Sequence, residues 1–200
     1  MLVLELFKNV EAVIFDVDGV LSPSNLLVLE NGQLLRQTNS RDGYAIKYAI
    51  KSGLKVAIIT GGKSDGIIKR YNNLGVLDIF AGIDDKLEAL EDYLYAYDLN
   101  PENVVYVGDD LPDYEVIQKV GIPCCPNDAA EEIKAFCKYI SPIDGGFGVA
   151  RDILEKIMKL NGTWLQEKTS FSNEMISLLN CCRFAHCYIV NCLTIKTIKQ

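Results

Sequence analysis

The chain has 200 residues, 49% of them hydrophobic and 24% charged, with a formal net charge of −7. That composition is ordinary for a globular protein, and its acidic balance argues against nucleic acid as a partner, so an anionic ligand would need local cations. No run approaches the roughly 18 apolar residues that span a bilayer, and the apolar stretch Met1 to Phe7 is short and lacks a basic flank, so neither a membrane segment nor an export signal is expected.

A prior of roughly 150 residues per domain favours one catalytic unit, residues 1–166, followed by an atypical extension, 167–200. Of seven cysteines, Cys124, Cys125 and Cys137 lie in the first part, while Cys181, Cys182, Cys187 and Cys192 crowd the second. Without an export signal, reduced thiols in a cytoplasm are expected rather than disulfides.

Val10 to Phe15 reads as a strand buried on both faces, and it ends abruptly in Asp16-Val17-Asp18-Gly19. Leu26 to Leu29 and Leu34 to Gln37 flank Asn31-Gly32, a strong signal for a two-residue hairpin turn, so a β-hairpin should project just after the acidic pair. Asp42 to Ser52 has helical apolar spacing, Leu54 to Thr60 is a second strand running into Gly61-Gly62, and Ser64 to Leu74 is a helix stopped by Gly75. Val76 to Ala81 is a third strand, Lys86 to Tyr97 a helix ended by Asn100-Pro101, and Val104 to Val107 a fourth strand leading into Gly108-Asp109-Asp110-Leu111-Pro112-Asp113. A helix over Val116 to Val120, a strand over Ile122 to Cys124 and a helix over Ala129 to Cys137 follow. After Gly145-Gly146-Phe147-Gly148, Val149 to Leu160 forms the last helix. Strands alternating with helices predict an α/β fold, a doubly wound, mostly parallel sheet covered on both faces.

Two carboxylates at one strand end repel each other unless a cation or proton intervenes, so Asp16 and Asp18 imply a metal, a raised pKa, or both. In a parallel sheet the C-terminal strand ends share one edge, which can bring Asp16 and Asp18, then Thr60 with Gly61 and Gly62, then Lys86, then Asp109 and Asp110 with Asp113 into one site. A phosphoryl group suits it. Asp16 would attack phosphorus to form an aspartyl phosphate, and Asp18, crowded by like charge, would protonate the leaving alcohol and then activate water. Asp109 adds a hard oxygen ligand suited to Mg²⁺, Lys86 offsets the charge on the phosphoryl oxygens, and Thr60 with the Gly61 and Gly62 N–H groups holds the phosphate.

At these residues the chain resembles the haloacid dehalogenase superfamily of aspartate-nucleophile phosphatases. It is most similar to the small capless 3-deoxy-D-manno-octulosonate 8-phosphate phosphatases and their relatives acting on 9-phosphorylated nonulosonates. The resemblance covers about residues 5 to 165 and rests on Asp16-Val17-Asp18-Gly19-Val20-Leu21, the hairpin, Asn39-Ser40-Arg41-Asp42-Gly43, Gly61-Gly62-Lys63-Ser64, Gly108-Asp109-Asp110, and Gly145-Gly146-Phe147-Gly148 with Arg151-Asp152. It implies a Rossmann-like fold without a cap domain and a Mg²⁺-dependent phosphomonoesterase in which Asp16, Asp109 and the Asp18 carbonyl hold the metal. It further implies substrate contacts at Asn39, Arg41, Asp42, Gly43 and Arg70, and a homotetramer built on the hairpins, with a neighbour's C-terminal segment over each site.

The local alternatives for Asp42 and Arg70 are a helix N-cap and a solvated helix face. Gly62 stands where the octulosonate enzymes commonly carry Arg, and Phe147 replaces a commonly polar residue; both keep a nonulosonate 9-phosphate open as the substrate. Two readings from other classes are a receiver-type phospho-aspartate domain, whose motif order differs, and a non-catalytic oligomerisation module, which need not keep Asp16 and Asp18. In the extension, Cys181, Cys182, His186, Cys187 and Cys192 lack a Cys-x-x-Cys pair and ordinary zinc-ligand spacing, so no metal is expected there.

Overall fold

The apolar run before the acidic pair folds as strand β1 (Ala12–Phe15) in a computed structural model that describes residues 3–165. A short hairpin follows, β2 (Leu27–Val28) and β3 (Leu34–Leu35), and then the alternation α1 (Ser40–Lys51), β4 (Lys55–Thr60), α2 (Asp65–Leu74), β5 (Asp78–Ala81), α3 (Lys86–Ala96), β6 (Val104–Val107), α4 (Tyr114–Lys119), β7 (Ile122–Cys125), α5 (Glu131–Lys134), β8 (Tyr139–Ile140) and α6 (Val149–Leu160). Between β1 and α1 the hairpin is the only paired ribbon, so no cap domain stands there.

Six strands form one sheet in the order β5-β4-β1-β6-β7-β8, and every neighbouring pair is parallel. Numbered among themselves in chain order, these strands run 3-2-1-4-5-6, so the winding reverses between β1 and β6. In open α/β sheets the crevice beyond the carboxyl ends of the strands at that reversal is where ligands bind.

Both faces of the sheet are covered, which is why its strands read as unbroken apolar runs. Along β1, Val13 and Phe15 join one core with Ala45, Ile46 and Ala49 of α1 and Ile153, Leu154 and Ile157 of α6. Ala12 and Ile14 point the other way, into a second core with Leu90, Tyr93 and Leu94 of α3 and Val116 and Ile117 of α4. Helix starts follow local chemistry: Asn39, Ser64 and Asp85 accept backbone N–H bonds at the first turns of α1, α2 and α3.

The structure departs from the expected elements where the local signal was misleading. The hairpin does not turn on two residues: Gly32 N donates to Leu29 O at 2.8 Å and Leu29 N to Gln33 O at 2.9 Å, with Gly32 at φ +82°. Asn31 is not left-handed, as a two-residue type I′ turn would require, so the loop is the three-residue kind closed by a glycine bulge. Val76 belongs to the stop of α2 rather than to β5, because its N–H donates to Tyr71 O at 3.1 Å across left-handed Gly75. The helix expected over Ala129 to Cys137 is a single turn, Glu131–Lys134, and Tyr139–Ile140 adds a sixth strand. Short 3₁₀ segments at Val3–Asn9, Pro101–Asn103 and Leu111–Asp113 were not expected.

Among the described residues no helix is long and apolar enough to cross a membrane, and Cys124, Cys125 and Cys137 are free thiols. The proposed extension, with its Cys and His residues, lies outside the described residues.

Candidate active site

The carboxyl ends of β1, β4 and β6 and the start of α3 converge on a cavity of about 310 Å³ lined by Asp16, Asp18, Thr60, Gly61, Gly62, Lys86, Asp109 and Asp113. Sequence reasoning placed these segments in one site, and the reversal of winding beside β1 is what brings β6 next to it.

Lys86, the first residue of α3, is buried with its ammonium between two carboxylates, 3.1 Å from Asp16 Oδ1 and 2.7 Å from Asp113 Oδ1. Burial opposes its charge, but Asp16 and Asp113 outweigh that and hold its pKa above the ordinary value. Asp113 also accepts from Tyr106 OH at 2.6 Å and, through Oδ2, from Asp109 N at 3.0 Å. It therefore aims Lys86 at Asp16 and anchors the backbone that carries Asp109. Sequence reading grouped Asp113 with Asp109 without giving it a role of its own, and missed Tyr106, which reads simply as an apolar strand residue.

Burial first, and then the Asp113 charge, push Asp16 up to about 7; burial and then Asp16 push Asp109 up to about 8. Carboxylate oxygens of Asp16, Asp109 and Asp113 lie within 4.8 Å of one another. Hard oxygen donors so close, and reluctant to ionise side by side, fit a small divalent cation such as Mg²⁺. Since Asp113 Oδ1 is taken by Lys86 and Tyr106, Asp16 and Asp109 are the side chains left to hold it.

Backbone packing shapes the cavity floor. Gly19 has φ +89°, and a Cβ there would stand 1.9 Å from Asp109 Oδ2. Gly145, from the glycine-rich loop before α6, lies against it so closely that a Cβ would stand 1.9 Å from Gly19 O, and Gly146 N donates to Val20 O at 2.8 Å. Thr60 is buried, and its Oγ1 accepts from Gly62 N at 3.2 Å, which folds the loop after β4 back toward the acidic residues.

The like-charge crowding expected for Asp18 is not found: its carboxylate turns away from this cluster toward a cation supplied by the hairpin. Its carboxylate takes Arg36 Nε at 2.7 Å and Nη2 at 2.8 Å, and Ser22 Oγ donates to its Oδ1 at 3.1 Å. Nothing in the local sequence signals Arg36, which sits just past β3.

The residues implied as substrate contacts separate in space. Arg70 lines a second, larger cavity of about 890 Å³ between the hairpin and α2, with Arg36 and Lys63. Asn39 caps α1, Oδ1 accepting from Arg41 N at 2.8 Å, and its carbonyl accepts from Arg70 Nη2 at 3.2 Å. Gly43 is buried under Arg70, whose Nη2 would stand 3.0 Å from an added Cβ. Asp42 is buried and accepts from Arg151 N at 2.7 Å, so it caps α6 rather than its own helix. Arg41 is exposed and lines a separate cavity of about 400 Å³ with Phe147 and Arg151.

A parallel sheet of this winding, with an Asp-x-Asp just past the carboxyl end of its first strand and a Lys–Asp pair behind it, defines the class of haloacid dehalogenase-like hydrolases, and the model of that family matches residues 71–153. The 3-deoxy-D-manno-octulosonate 8-phosphate phosphatase KdsC of Salmonella typhi is 39% identical over 155 residues, covering 78% of this chain and 82% of that protein. The chain belongs to this KdsC phosphatase family. Among solved structures, the Yersinia pestis phosphatase of the same name superimposes with a TM-score of 0.78 at 35% identity, covering 80% of this chain and 87% of that one. The Moraxella catarrhalis phosphatase, solved with a magnesium ion, a phosphate ion and a KDO molecule, gives a TM-score of 0.78 at 30% identity, covering 81% and 93%.

Proposed function

We propose that the chain is a Mg²⁺-dependent phosphomonoesterase that hydrolyses 3-deoxy-D-manno-octulosonate 8-phosphate, with Asp16 as nucleophile and Asp18 as general acid and base. The observation that carries the reading is the buried Lys86 ammonium, 3.1 Å from Asp16 and locked by Asp113, at the winding reversal of a chain 39% identical to KdsC.

An Asp16 oxygen attacks phosphorus as the bond from phosphorus to the sugar oxygen breaks, and Asp18 delivers a proton to that oxygen. Asp18 then takes a proton from water, the water oxygen attacks the aspartyl phosphate, and inorganic phosphate leaves with Asp16 restored. Lys86, Thr60 Oγ1 and the Gly61 N–H orient the phosphoryl oxygens and offset their charge, while the Gly62 N–H is spent on Thr60 Oγ1. Asp16, Asp109 and the Asp18 carbonyl would hold Mg²⁺, which when bound adds positive charge beside the same oxygens. The sugar would extend toward the 890 Å³ cavity beside Arg70 and Lys63.

Nonulosonate 9-phosphate is the second reading, favoured by Gly62 and Phe147. A homotetramer in the cytoplasm belongs to the same proposal, supported by the exposed Leu27, Val28, Leu34 and Leu35 of the hairpin and by the free thiols. Light scattering on the full chain tests the tetramer.

The central test measures Mg²⁺-dependent phosphate release from octulosonate 8-phosphate, nonulosonate 9-phosphate and a hexose 6-phosphate. The first should be turned over fastest, and Asp16→Asn should abolish release. Equal rates on all three would overturn the substrate, and turnover by Asp16→Asn would overturn the nucleophile.

A further inference from the structure

Arg36 belongs to a hairpin that has little holding it to the body. Its two strands pair over only Leu27↔Leu35 and Val28↔Leu34, and Leu27 and Val28 are 62% and 64% exposed. A ribbon of that length has little stability of its own. Yet the Arg36 side chain is only 6% exposed and spans 18 residues of sequence to reach Asp18, making a two-point contact through Nε and Nη2. It lies over Gly62, where an added Cβ would stand 2.8 Å from Arg36 Nη2 and 3.3 Å from Asp18 Oδ2. The guanidinium is thus held by the hairpin on one side and by the loop after β4 on the other, and it lines the large cavity while its partner lines the small one.

We infer that Arg36 is a positioning residue for Asp18, through which the placement of the hairpin sets the orientation of the group that exchanges protons with the leaving oxygen. A planar fork bonded to both carboxylate oxygens fixes the rotation of the carboxyl group as well as its position, which a single contact does not. Ser22 Oγ supports only one of the two oxygens, so without Arg36 the carboxyl plane is free to turn about that bond. An alkyl oxygen needs the Asp18 proton as it leaves phosphorus, whereas an aryl oxide leaves as a stable anion without it, so the two kinds of ester should respond differently to the loss of Arg36. The inference rests on the assignment of Asp18 as general acid made above.

The test compares kcat/KM, with Mg²⁺, for an alkyl ester, octulosonate 8-phosphate, and for p-nitrophenyl phosphate, whose leaving group departs as a stable anion and needs little proton donation. Positioned proton transfer contributes about 10²- to 10⁴-fold, so Arg36→Gln should cost about 10- to 100-fold on the alkyl ester and less than about threefold on the aryl ester. Asp18→Asn should show the same split, and the Asp18→Asn/Arg36→Gln double variant should be no worse than Asp18→Asn on the alkyl ester, because groups that act as a unit are not additive. Equal losses on both esters, or additive losses in the double variant, would overturn the role of Arg36. A split absent from Asp18→Asn itself would instead overturn the acid assignment, so the two failures are distinguishable.

Discussion

Asp42 lies 2% exposed at the junction of α1 and α6, with Oδ1 bonded to Arg151 N and Oδ2 buried without a hydrogen-bond partner. Burial raises its pKa from 3.8 to about 6, against the opposing pull of the Arg151 N–H and the Arg151 charge. Because the folded pKa is the higher one, the folded chain binds more protons than the unfolded chain between about pH 4 and 6. Stability associated with this group is fully present below pH 3.8 and is lost as pH rises through 6. A shift of about two units corresponds to about 3 kcal/mol. Asp42→Asn keeps an oxygen to cap α6 and carries no charge. Its stability relative to the natural chain should therefore rise between pH 4 and 7 by about 3 kcal/mol, read from urea unfolding at fixed Mg²⁺. A difference that stays flat across that range, or falls, would refute the burial argument.

Gly19→Ala places a Cβ at 1.9 Å from Asp109 Oδ2 on a left-handed backbone, so it should displace Asp109 and abolish Mg²⁺ binding in calorimetric titration; natural affinity in the variant would contradict the packing. Tyr106→Phe removes the 2.6 Å bond to buried Asp113 and should cost about 1–2 kcal/mol in chemical unfolding, whereas unchanged stability would mean that Lys86 and Asp109 N satisfy Asp113 alone. Mg²⁺ at a hundredfold its Kd should stabilise the chain by about 2.7 kcal/mol, seen as a raised Tm, and Asp109→Ala should remove that rise. A rise that persists in Asp109→Ala would place the ion elsewhere.

Local pattern carried much of the fold. Short unbroken apolar runs rich in β-branched residues and bounded by turn residues, such as Val104 to Val107, read as strands buried on both faces, and the caps Ser64 and Asp85 and the stop at Gly75 mark helix ends with side chains or φ angles within a few residues. The chemistry was legible for a related reason, since Asp16, Thr60, Lys86 and Asp109 all sit at element ends that a parallel sheet gathers on one edge. What local pattern misjudged were the turn at Gly32, where the φ of Asn31 decided between two loop types, and the short helix after Ala130.

The sequence by itself determined that strands alternate with helices, that acidic residues collect at strand ends, and that phosphoryl chemistry suits them, because periodicity, turn chemistry and charge are properties of neighbouring residues. Tertiary structure alone decided which donor meets which carboxylate: the Lys86 ammonium with Asp16 and Asp113, the Arg36 guanidinium with Asp18, and the Arg151 backbone N–H at the start of α6 with Asp42. Those pairs join residues 18 to 109 positions apart, and each depends on how the chain closes around the sheet rather than on any preference of the residues themselves.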